Sequence, residues 1–171
     1  MADGVREAAV VVVSDSAFAG ARADATGPAV AACLRGAGMR VAEVAVVPDE
    51  RAEIAARLIA LSDRGVPLVV TAGGTGFGPR DITPEATRDV LEREAPGLAE
   101  EMRRAGLAGT RRALLSRGVC GVRAGTLLLN LPGSPRGAVD SLRAVLDVLP
   151  HALDVLANPS HPHGDPPAPG A

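Results

Sequence analysis

Aromatic residues are almost missing from this sequence of 171 residues, which contains two phenylalanines and neither tryptophan nor tyrosine. Proteins that bind single-stranded nucleic acids stack the bases on aromatic side chains, and this chain has almost none to offer. The formal net charge of -2 at pH 7 also argues against a general polyanion binder, because such proteins carry a large positive patch. We therefore expect no nucleic-acid partner.

Long apolar runs are missing as well, since no stretch approaches the roughly 20 apolar residues of a membrane-spanning helix. We therefore expect no association with a membrane. The N-terminal residues, MADGVREA, lack the basic segment followed by an apolar segment that marks a secretory signal, and this favours a cytoplasmic location. Cys33 and Cys120 are the two cysteines, and their apolar neighbours favour buried free thiols over a disulfide or a metal site.

Hydrophobic residues make up 47% of the chain, and a chain of this length forms one domain with a sizeable core. We expect that domain to span residues 1–157. Residues 158–171 change to proline, histidine, glycine and alanine, a composition that cannot bury a core, so we predict a disordered, proline-rich tail. A metal-binding tract at His161 and His163 is the less favoured interpretation of this tail.

Apolar runs and amphipathic segments alternate along the first half of the chain. Strands are predicted at residues 8–13, 40–47 and 68–71, and helices at residues 27–37, 49–62 and 84–93. Residues 14–26 are loop-like in composition, with Thr26 as the expected cap of the first helix. The order strand–helix–strand–helix–strand–loop–helix requires parallel strands with right-handed crossovers and helices on both faces.

The second half of the chain adds further helices and a hairpin. Helices are predicted at residues 98–105, 136–149 and 151–156, with an interruption at residues 95–97 and a kink at Pro150. Two β-rich runs, residues 119–123 and 126–131, flank Ala124-Gly125 as a hairpin would. Residues 109–116 give no clear prediction. The predicted fold class is α/β, a three-layer α/β/α sandwich around a mostly parallel sheet with an antiparallel edge.

Residues 67–87, PLVVTAGGTGFGPRDITPEAT, organise the rest of the chain. The third strand runs into a glycine-rich loop at residues 72–80, and Thr83-Pro84-Glu85 then opens a helix with a hydroxyl cap, a proline and an acid. Glycines let backbone N–H groups approach a phosphate, and the helix dipole favours an anion there. Asp81 would repel that phosphate unless a metal ion joined the two, so the pattern suggests Mg²⁺.

Four loops are predicted to meet at the carboxyl ends of the strands, where open parallel sheets bind their ligands. They are Ser14-Asp15-Ser16, Pro48-Asp49-Glu50, residues 73–81 and residues 130–135. Each carries small hydroxyl, amide, glycine or acidic residues and almost no bulk. The glycine-rich loop alone is weak evidence, because it matches neither the dinucleotide fingerprint nor the Walker A pattern.

Each candidate side chain also has a purely structural interpretation. These are a helix N-cap for Asp49, a turn for Asp15, a hydrogen bond to a nearby N–H for Asp24, a helix cap for Ser134, and an ion pair with Arg80 or Arg88 for Asp81. No serine–histidine–acid or cysteine–histidine set is apparent, because His151 is the one histidine outside the tail. We therefore expect metal-assisted positioning of a nucleotide, with a nucleophile supplied by the substrate.

Seven segments together resemble one known family. They are SDS at residues 14–16, DATGP at 24–28, VVPDE at 46–50, TAGGTGFGPRDITPEAT at 71–87, EREAPGLAEEMR at 92–103, LLSRGVCGVRAGTLLLNLPGSP at 114–135 and LPHAL at 149–153. This set is similar to the MogA/MoaB family of molybdenum cofactor biosynthesis proteins, whose domain also occurs in gephyrin. The resemblance covers residues 8–156 and implies a three-layer α/β sandwich that assembles as trimers, or as hexamers in the MoaB branch.

The resemblance also implies an activity and the residues that support it. Catalytic members of the family bind molybdopterin and use Mg²⁺ to transfer AMP from ATP to its terminal phosphate, with release of pyrophosphate. Asp49 and Asp81 match the functional acids of the family and are predicted to be catalytic and to hold Mg²⁺. The residues predicted to bind the nucleotide or the pterin are Ser14, Asp15, Asp24, Gly73, Gly74, Thr75, Gly76, Asn130, Pro132, Gly133 and Ser134.

Two interpretations therefore stand side by side, an adenylyltransferase and a MoaB-type module that binds molybdopterin without catalysis or serves as an assembly partner. Retention of Asp49 and Asp81 favours the enzyme, with a molybdenum insertase as a candidate partner. Departures from the family pattern are mild, with Ala25, Ala72 and Gly78 where the family often has serine, threonine and alanine. The sequence leaves open whether the protein is a trimer or a hexamer, and whether molybdenum or tungsten is the eventual metal.

Overall fold

The computed structural model describes residues 6–158 as a six-stranded sheet with helices on both faces. The strands are β1 (Glu7–Val13), β2 (Arg40–Val47), β3 (Leu68–Ala72), β4 (Arg93–Glu94), β5 (Cys120–Arg123) and β6 (Thr126–Leu131). The helices are α1 (Asp15–Phe18), α2 (Thr26–Gly36), α3 (Arg51–Asp63), α4 (Thr83–Arg88), α5 (Pro96–Gly106), α6 (Pro135–Arg143) and α7 (Leu149–Ala157), with a 3₁₀ helix at Arg111–Leu115. The predicted tail, with His161 and His163, lies outside the described residues except for Asn158.

The sheet has the strand order β2-β1-β3-β6-β5-β4. The first four strands in this order are parallel, and β5 and β4 are antiparallel additions at one edge. Ala124 and Gly125 connect β5 to β6 with backbone φ angles of 47° and 78°, which fit the tight turn of a two-residue hairpin. The predicted fold class, with its antiparallel edge, is confirmed.

Alternate residues of the central strands pack into two separate core layers, one on each face of the sheet. Val10, Val70 and Leu129 belong to the layer that also contains Leu34 of α2 and Leu142 of α6. Val11, Val69, Leu128 and their neighbours pack against α3 and α4 in the second layer. Because both faces of these strands are covered, their sequences are continuous apolar runs rather than alternating patterns.

The structure corrects several predicted element boundaries. The helix predicted at residues 84–93 ends at Arg88, because Arg93 and Glu94 pair with β5 instead. Pro96 and Pro150 stand in the first turns of α5 and α7, where a missing N–H costs nothing, rather than interrupting or kinking a helix. The loop predicted at residues 14–26 contains α1.

The two cysteines are free thiols that differ in exposure. Cys120 is buried, and burial raises the pKa of its thiol to about 12, so it carries almost no reactive thiolate at neutral pH. Cys33 is only partly buried, which differs from the prediction that both thiols are buried.

Within residues 6–158, no helix combines the length and the apolar character that crossing a bilayer requires.

Candidate functional site

The sheet reverses its direction of growth between β1 and β3, and this is where the candidate site lies. From β1 the chain passes to β2 on one side, and it later returns to β3 on the other side. In open parallel sheets such a switch point leaves a crevice beyond the carboxyl ends of the strands. A cavity of about 540 Å³ lies there, which we name the acidic cleft because Asp24, Asp49 and Asp81 line it.

Asp49 is held in the acidic cleft by a reciprocal pair of hydrogen bonds with Asp15. The backbone N–H of Asp15 donates to Asp49 Oδ2 at 2.8 Å, and the backbone N–H of Asp49 donates to Asp15 Oδ1 at 2.9 Å. Asp15 in turn forms an ion pair with Arg80. The helix N-cap interpretation of Asp49 is therefore not what the structure shows, since α3 begins after Glu50 without a side-chain cap.

The surroundings of Asp49 make its negative charge costly. Burial raises the pKa of the Asp49 carboxyl above 3.8, and the nearby charges of Asp15 and Asp81 act in the same direction. The hydrogen bond from the Asp15 backbone opposes this effect without cancelling it. A carboxylate that is crowded by other carboxylates is stabilised when a cation joins them.

Asp81 sits at the end of a turn that its own side chain closes. The Gly78 N–H donates to Asp81 Oδ2 at 2.8 Å, and the Asp81 N–H donates to the Gly78 carbonyl at 3.0 Å. The two arginines considered as partners are engaged elsewhere: Arg80 with Asp15 and Glu50, and Arg88 with Glu94. Within residues 6–158, the Asp81 carboxylate thus lines the acidic cleft with no arginine in an ion pair with it.

Two glycines bring the backbone of the loop against neighbouring groups. Gly73 has a φ of 112°, and a Cβ there would lie less than 3.0 Å from the Val13 carbonyl oxygen. Gly74 has a φ of 63°, and a Cβ there would crowd Thr83 Oγ1 and Asp49 Oδ1. Thr83 was expected to cap α4, but its hydroxyl donates to the Gly73 carbonyl at 2.9 Å. These contacts tie the start of the loop to β1 and α4.

A second cavity, of about 710 Å³, adjoins the first, and we name it the wide cleft. Four residues line both cavities: Gly74, Asp81, Gly133 and Ser134. The wide cleft is otherwise lined by Thr75, Gly76, Phe77, Pro132, the 3₁₀ segment and the start of α6, including Arg112 and Arg136. One opening with two lobes can hold two substrates with their reacting ends at the shared residues.

The predicted binding residues Ser14, Asp24 and Ser134 line the acidic cleft, and each also caps a helix. Ser14 Oγ accepts from Ala17 N in α1, and Ser134 Oγ accepts from Gly137 N in α6. Asp24 accepts from the first amides of α2, a role that Thr26 was expected to play. Thr26 instead donates to the Gly133 carbonyl at 2.8 Å.

Asn130 was predicted to bind a substrate, but the structure shows it in internal hydrogen bonds. Its side chain is buried, and its Nδ2 donates to the hydroxyls of Thr71 and Thr87 at 2.9 and 3.0 Å. Its Oδ1 accepts from Val119 N at 3.2 Å. The amide therefore ties β6 to β3, α4 and the segment before β5. Asp15 also differs from the prediction, because it braces Asp49 and does not itself line the acidic cleft.

Arg80 and Arg117 were missing from the predicted site. Arg80 joins the glycine loop to Asp15 and Glu50, which follow β1 and β2. Arg117 binds carbonyl groups of the same loop from a segment about forty positions further on. Each is one arginine among 18 basic residues, and no local pattern distinguishes a residue whose partners are so distant in sequence.

The chemistry of the donor set decides which metal the site could hold. Among residues 6–158, no group of three or more histidine, cysteine or acidic side chains forms a complete metal cage. Mg²⁺ does not require one, because it keeps several waters and is usually held by one or two carboxylates together with substrate phosphates. Asp49 and Asp81 fit that requirement, and a zinc or calcium centre made only of protein ligands does not fit.

Comparison with known proteins places the chain among molybdopterin proteins. The profile of a family described as "Probable molybdopterin binding domain" matches residues 9–151. The "Molybdopterin adenylyltransferase" of Haemophilus influenzae is 42% identical over 141 residues, which cover 81% of this chain and 72% of that protein. The "Molybdenum cofactor biosynthesis bifunctional protein" of Chlorobaculum tepidum is 38% identical over 153 residues, or 90% of this chain and 49% of that protein. The chain thus spans about half the length of the latter relative.

Solved structures agree with these sequence matches. The molybdopterin biosynthesis enzyme MoaB of Thermus thermophilus superimposes with a TM-score of 0.85 at 53% sequence identity. The match covers 89% of this chain and 96% of that one.

Proposed function

Because the chain belongs to the family of molybdopterin-binding domains of molybdenum cofactor biosynthesis, we propose that it is a molybdopterin adenylyltransferase. The substrates are ATP and molybdopterin. An oxygen of the terminal phosphate of molybdopterin attacks the α-phosphorus of ATP, and the bond from that phosphorus to the bridging oxygen of the β-phosphate breaks. AMP is joined to molybdopterin, and pyrophosphate leaves. The observation that carries this proposal is that Asp49 and Asp81 line one cleft, which adjoins a second, larger one.

The residues of the chain act mainly by positioning and by electrostatics, as is general for transfer of phosphorus groups. Asp49 and Asp81 would hold Mg²⁺, and the metal would supply neutralisation of the phosphate charge. The backbone N–H groups and hydroxyl of Gly74, Thr75 and Gly76 bind phosphate oxygens. Ser14, Asp24, Gly133 and Ser134 line the ends of the two substrates. No protein side chain is required as the nucleophile.

We further propose a domain boundary, an oligomeric state and a partner for the protein. The domain ends with α7 at Ala157, and the protein acts as a cytoplasmic homo-oligomer, as a trimer or a hexamer. The name "bifunctional protein" belongs to a relative about twice as long as the match. We propose a molybdenum insertase as a partner that consumes the adenylylated pterin in the next step.

The test is an incubation of the purified protein with molybdopterin, Mg²⁺ and ATP labelled at the α-phosphorus. We expect label to be recovered on the pterin, with release of an equal amount of pyrophosphate. Tight binding of molybdopterin without pyrophosphate release would instead indicate a binding module of the MoaB type. Removal of Mg²⁺ with a chelator should stop the transfer and leave the protein folded.

Variants then test the assigned acids. Asp49→Asn and Asp81→Asn should each lower kcat by about 10²-fold or more, because they remove charge at the position where phosphate charge is balanced. Asp63→Asn is the matched control, since Asp63 ends α3 and pairs with Arg123 outside both clefts. Full activity in both cleft variants would contradict the metal assignment.

A further inference from the structure

Arg117 contacts both ends of the loop that carries Asp81. Its backbone N–H donates to the Thr75 carbonyl at 2.9 Å, and its Nε donates to the Gly76 carbonyl at 2.7 Å. Its second terminal nitrogen donates to the Asp81 carbonyl at 2.8 Å. The remaining nitrogen forms an ion pair with Glu85 in α4. Arg117 thus joins the beginning of the loop, its end and the helix that follows, and its side chain makes the contacts to Gly76, Asp81 and Glu85.

These contacts matter because the other anchor of the loop, Arg80, holds it through exposed ion pairs with Asp15 and Glu50, and exposed ion pairs are usually weak. Gly76, Gly78 and the exposed Phe77 stand between the two ends, and glycine restricts the backbone less than any other residue. The local support of the Asp81 carboxylate is the Gly78 N–H, which belongs to the same short turn. Arg117 therefore adds, beside the exposed Arg80, a partly buried anchor from outside the loop that helps to hold Asp81 relative to Asp49.

The same contacts also set the direction of two backbone amides. In a trans peptide the C=O and the following N–H point to opposite sides, and the described residues contain no cis peptide bond. Since the carbonyls of Thr75 and Gly76 face Arg117, the N–H groups of Gly76 and Phe77 face away from it. Gly76 and Phe77 line the wide cleft, and Arg117 does not. Two successive N–H groups on one side form a site for phosphate oxygens.

The geometry points to Arg117 as a positioning residue for adenylyl transfer, which fixes Asp81 and the loop amides without touching substrate. This inference rests on the proposed function for its catalytic part. Arginine suits the role because its planar fork donates in several fixed directions, whereas the ammonium of a lysine is a flexible point charge. Lysine at this position would keep the ion pair with Glu85 and lose the simultaneous contacts to the carbonyls.

The experiment compares Arg117→Lys and Arg117→Ala with Arg103→Ala as the control. Arg103 donates at 2.9 Å to the Gly118 carbonyl, next to Arg117. We expect both Arg117 variants to lower kcat by about 10²-fold, the usual effect of a displacement near 1 Å. The KM for molybdopterin should change little, and the Mg²⁺ concentration for half-maximal rate should rise. Millimolar guanidinium should restore part of the activity of Arg117→Ala, whose missing group it replaces.

A purely structural role would give a different result. In that case the Arg117 variants and Arg103→Ala would lower the melting temperature alike, guanidinium would restore nothing, and the Mg²⁺ dependence would stay that of the wild type. Wild-type kcat and Mg²⁺ dependence in Arg117→Lys would also overturn the inference, because that variant keeps the charge and loses only the fork.

Amide hydrogen exchange separates failure of this inference from failure of the proposed function. The Gly78 N–H is hydrogen-bonded to Asp81, so its exchange reports the order of the turn without any turnover. We expect faster exchange at residues 76–81 in Arg117→Ala and unchanged exchange there in Arg103→Ala. If the wild-type protein transferred no AMP, the proposed function would fail and exchange would still decide whether Arg117 orders the loop. Unchanged exchange in Arg117→Ala would overturn the inference in either case.

Discussion

Asp15 and Asp49 each bind the backbone N–H of the other, at 2.9 and 2.8 Å. This reciprocal pair of hydrogen bonds joins the loop after β1 to the loop after β2. Arg80 then connects this pair to the glycine loop, because it donates to Asp15 and to Glu50. Three loops that are far apart in sequence therefore support one carboxylate, Asp49, at the acidic cleft.

Asp15→Ala should weaken the enzyme through Asp49, although Asp15 does not line the acidic cleft. The variant loses the bond to the Asp49 N–H and the ion pair with Arg80, so Asp49 is held less firmly. We expect kcat to fall by about 10-fold to 10²-fold and the Mg²⁺ requirement to rise. Glu50→Gln is the control, because it removes the charge of the other exposed partner of Arg80 and leaves the two hydrogen bonds between Asp15 and Asp49 intact. Equal effects of the two variants would show that the ion pairs of Arg80 matter and that the hydrogen bonds between Asp15 and Asp49 do not.

Asp49→Asn should make the protein more stable and less active. Because burial raises the pKa of Asp49 when the protein is folded, the folded state binds a proton at this carboxyl more tightly than the unfolded state does. The Asp49 contribution therefore lowers stability as pH rises through the folded pKa, and it is most favourable below the unfolded pKa. Asparagine removes this penalty at pH 7. We expect a higher melting temperature for the metal-free variant, together with loss of transfer.

The pH dependence of both properties checks the same assignment. The stability gain of Asp49→Asn should shrink as pH falls below the raised pKa of Asp49, where the wild-type carboxyl is already neutral. Binding of Mg²⁺ to the wild-type protein should weaken as pH falls through the raised pKa of Asp49, because the neutral carboxyl holds Mg²⁺ poorly. A variant with an unchanged melting temperature at neutral pH would contradict the raised pKa.

Much of the fold follows from local sequence patterns. The run AAVVVV and the segment before the glycine loop predict β1 and β3, because only strands covered on both faces are so uniformly apolar. The alternation with helices then requires a parallel sheet, and a parallel sheet brings the loops after its strands to one edge. Asp49 and Asp81 could be grouped in this way before any coordinates were known.

The parts that sequence patterns did not predict are long-range contacts. The predicted helix extends through Arg93, but Arg93 and Glu94 pair with Val122 and Gly121 of β5, and α4 ends at Arg88. Thr83 has the position of a helix cap, yet its hydroxyl binds the Gly73 carbonyl. In both cases a partner that is distant or lies outside the helix outweighs a local preference of about 1 kcal/mol.

Gly73→Ala should destabilise the protein strongly, because two separate costs combine there. Its φ of 112° is strained for alanine, and the new Cβ would press on the Val13 backbone, which cannot rotate away. We expect the free energy of unfolding to fall by about 3 kcal/mol or more. Gly65→Ala is the matched control, with a φ of 74° and nothing within 4 Å of the new Cβ. It should cost only about 1 kcal/mol, and denaturant unfolding of the two variants measures the difference.

Asn130→Ala should affect stability rather than substrate binding. The substitution leaves the buried hydroxyls of Thr71 and Thr87 and the Val119 N–H without the partner that Asn130 provides. Unpaired buried groups cost about 1–3 kcal/mol, so the free energy of unfolding should fall by at least that amount, as measured in urea. The KM values for ATP and molybdopterin should stay within about twofold in the folded fraction, since the lost contacts are all internal. Ser134→Ala provides the contrast, because Ser134 lines both clefts and its cap on α6 contributes only about 1 kcal/mol. A normal unfolding free energy with a raised KM in Asn130→Ala would instead support the ligand-binding role that the family resemblance implies.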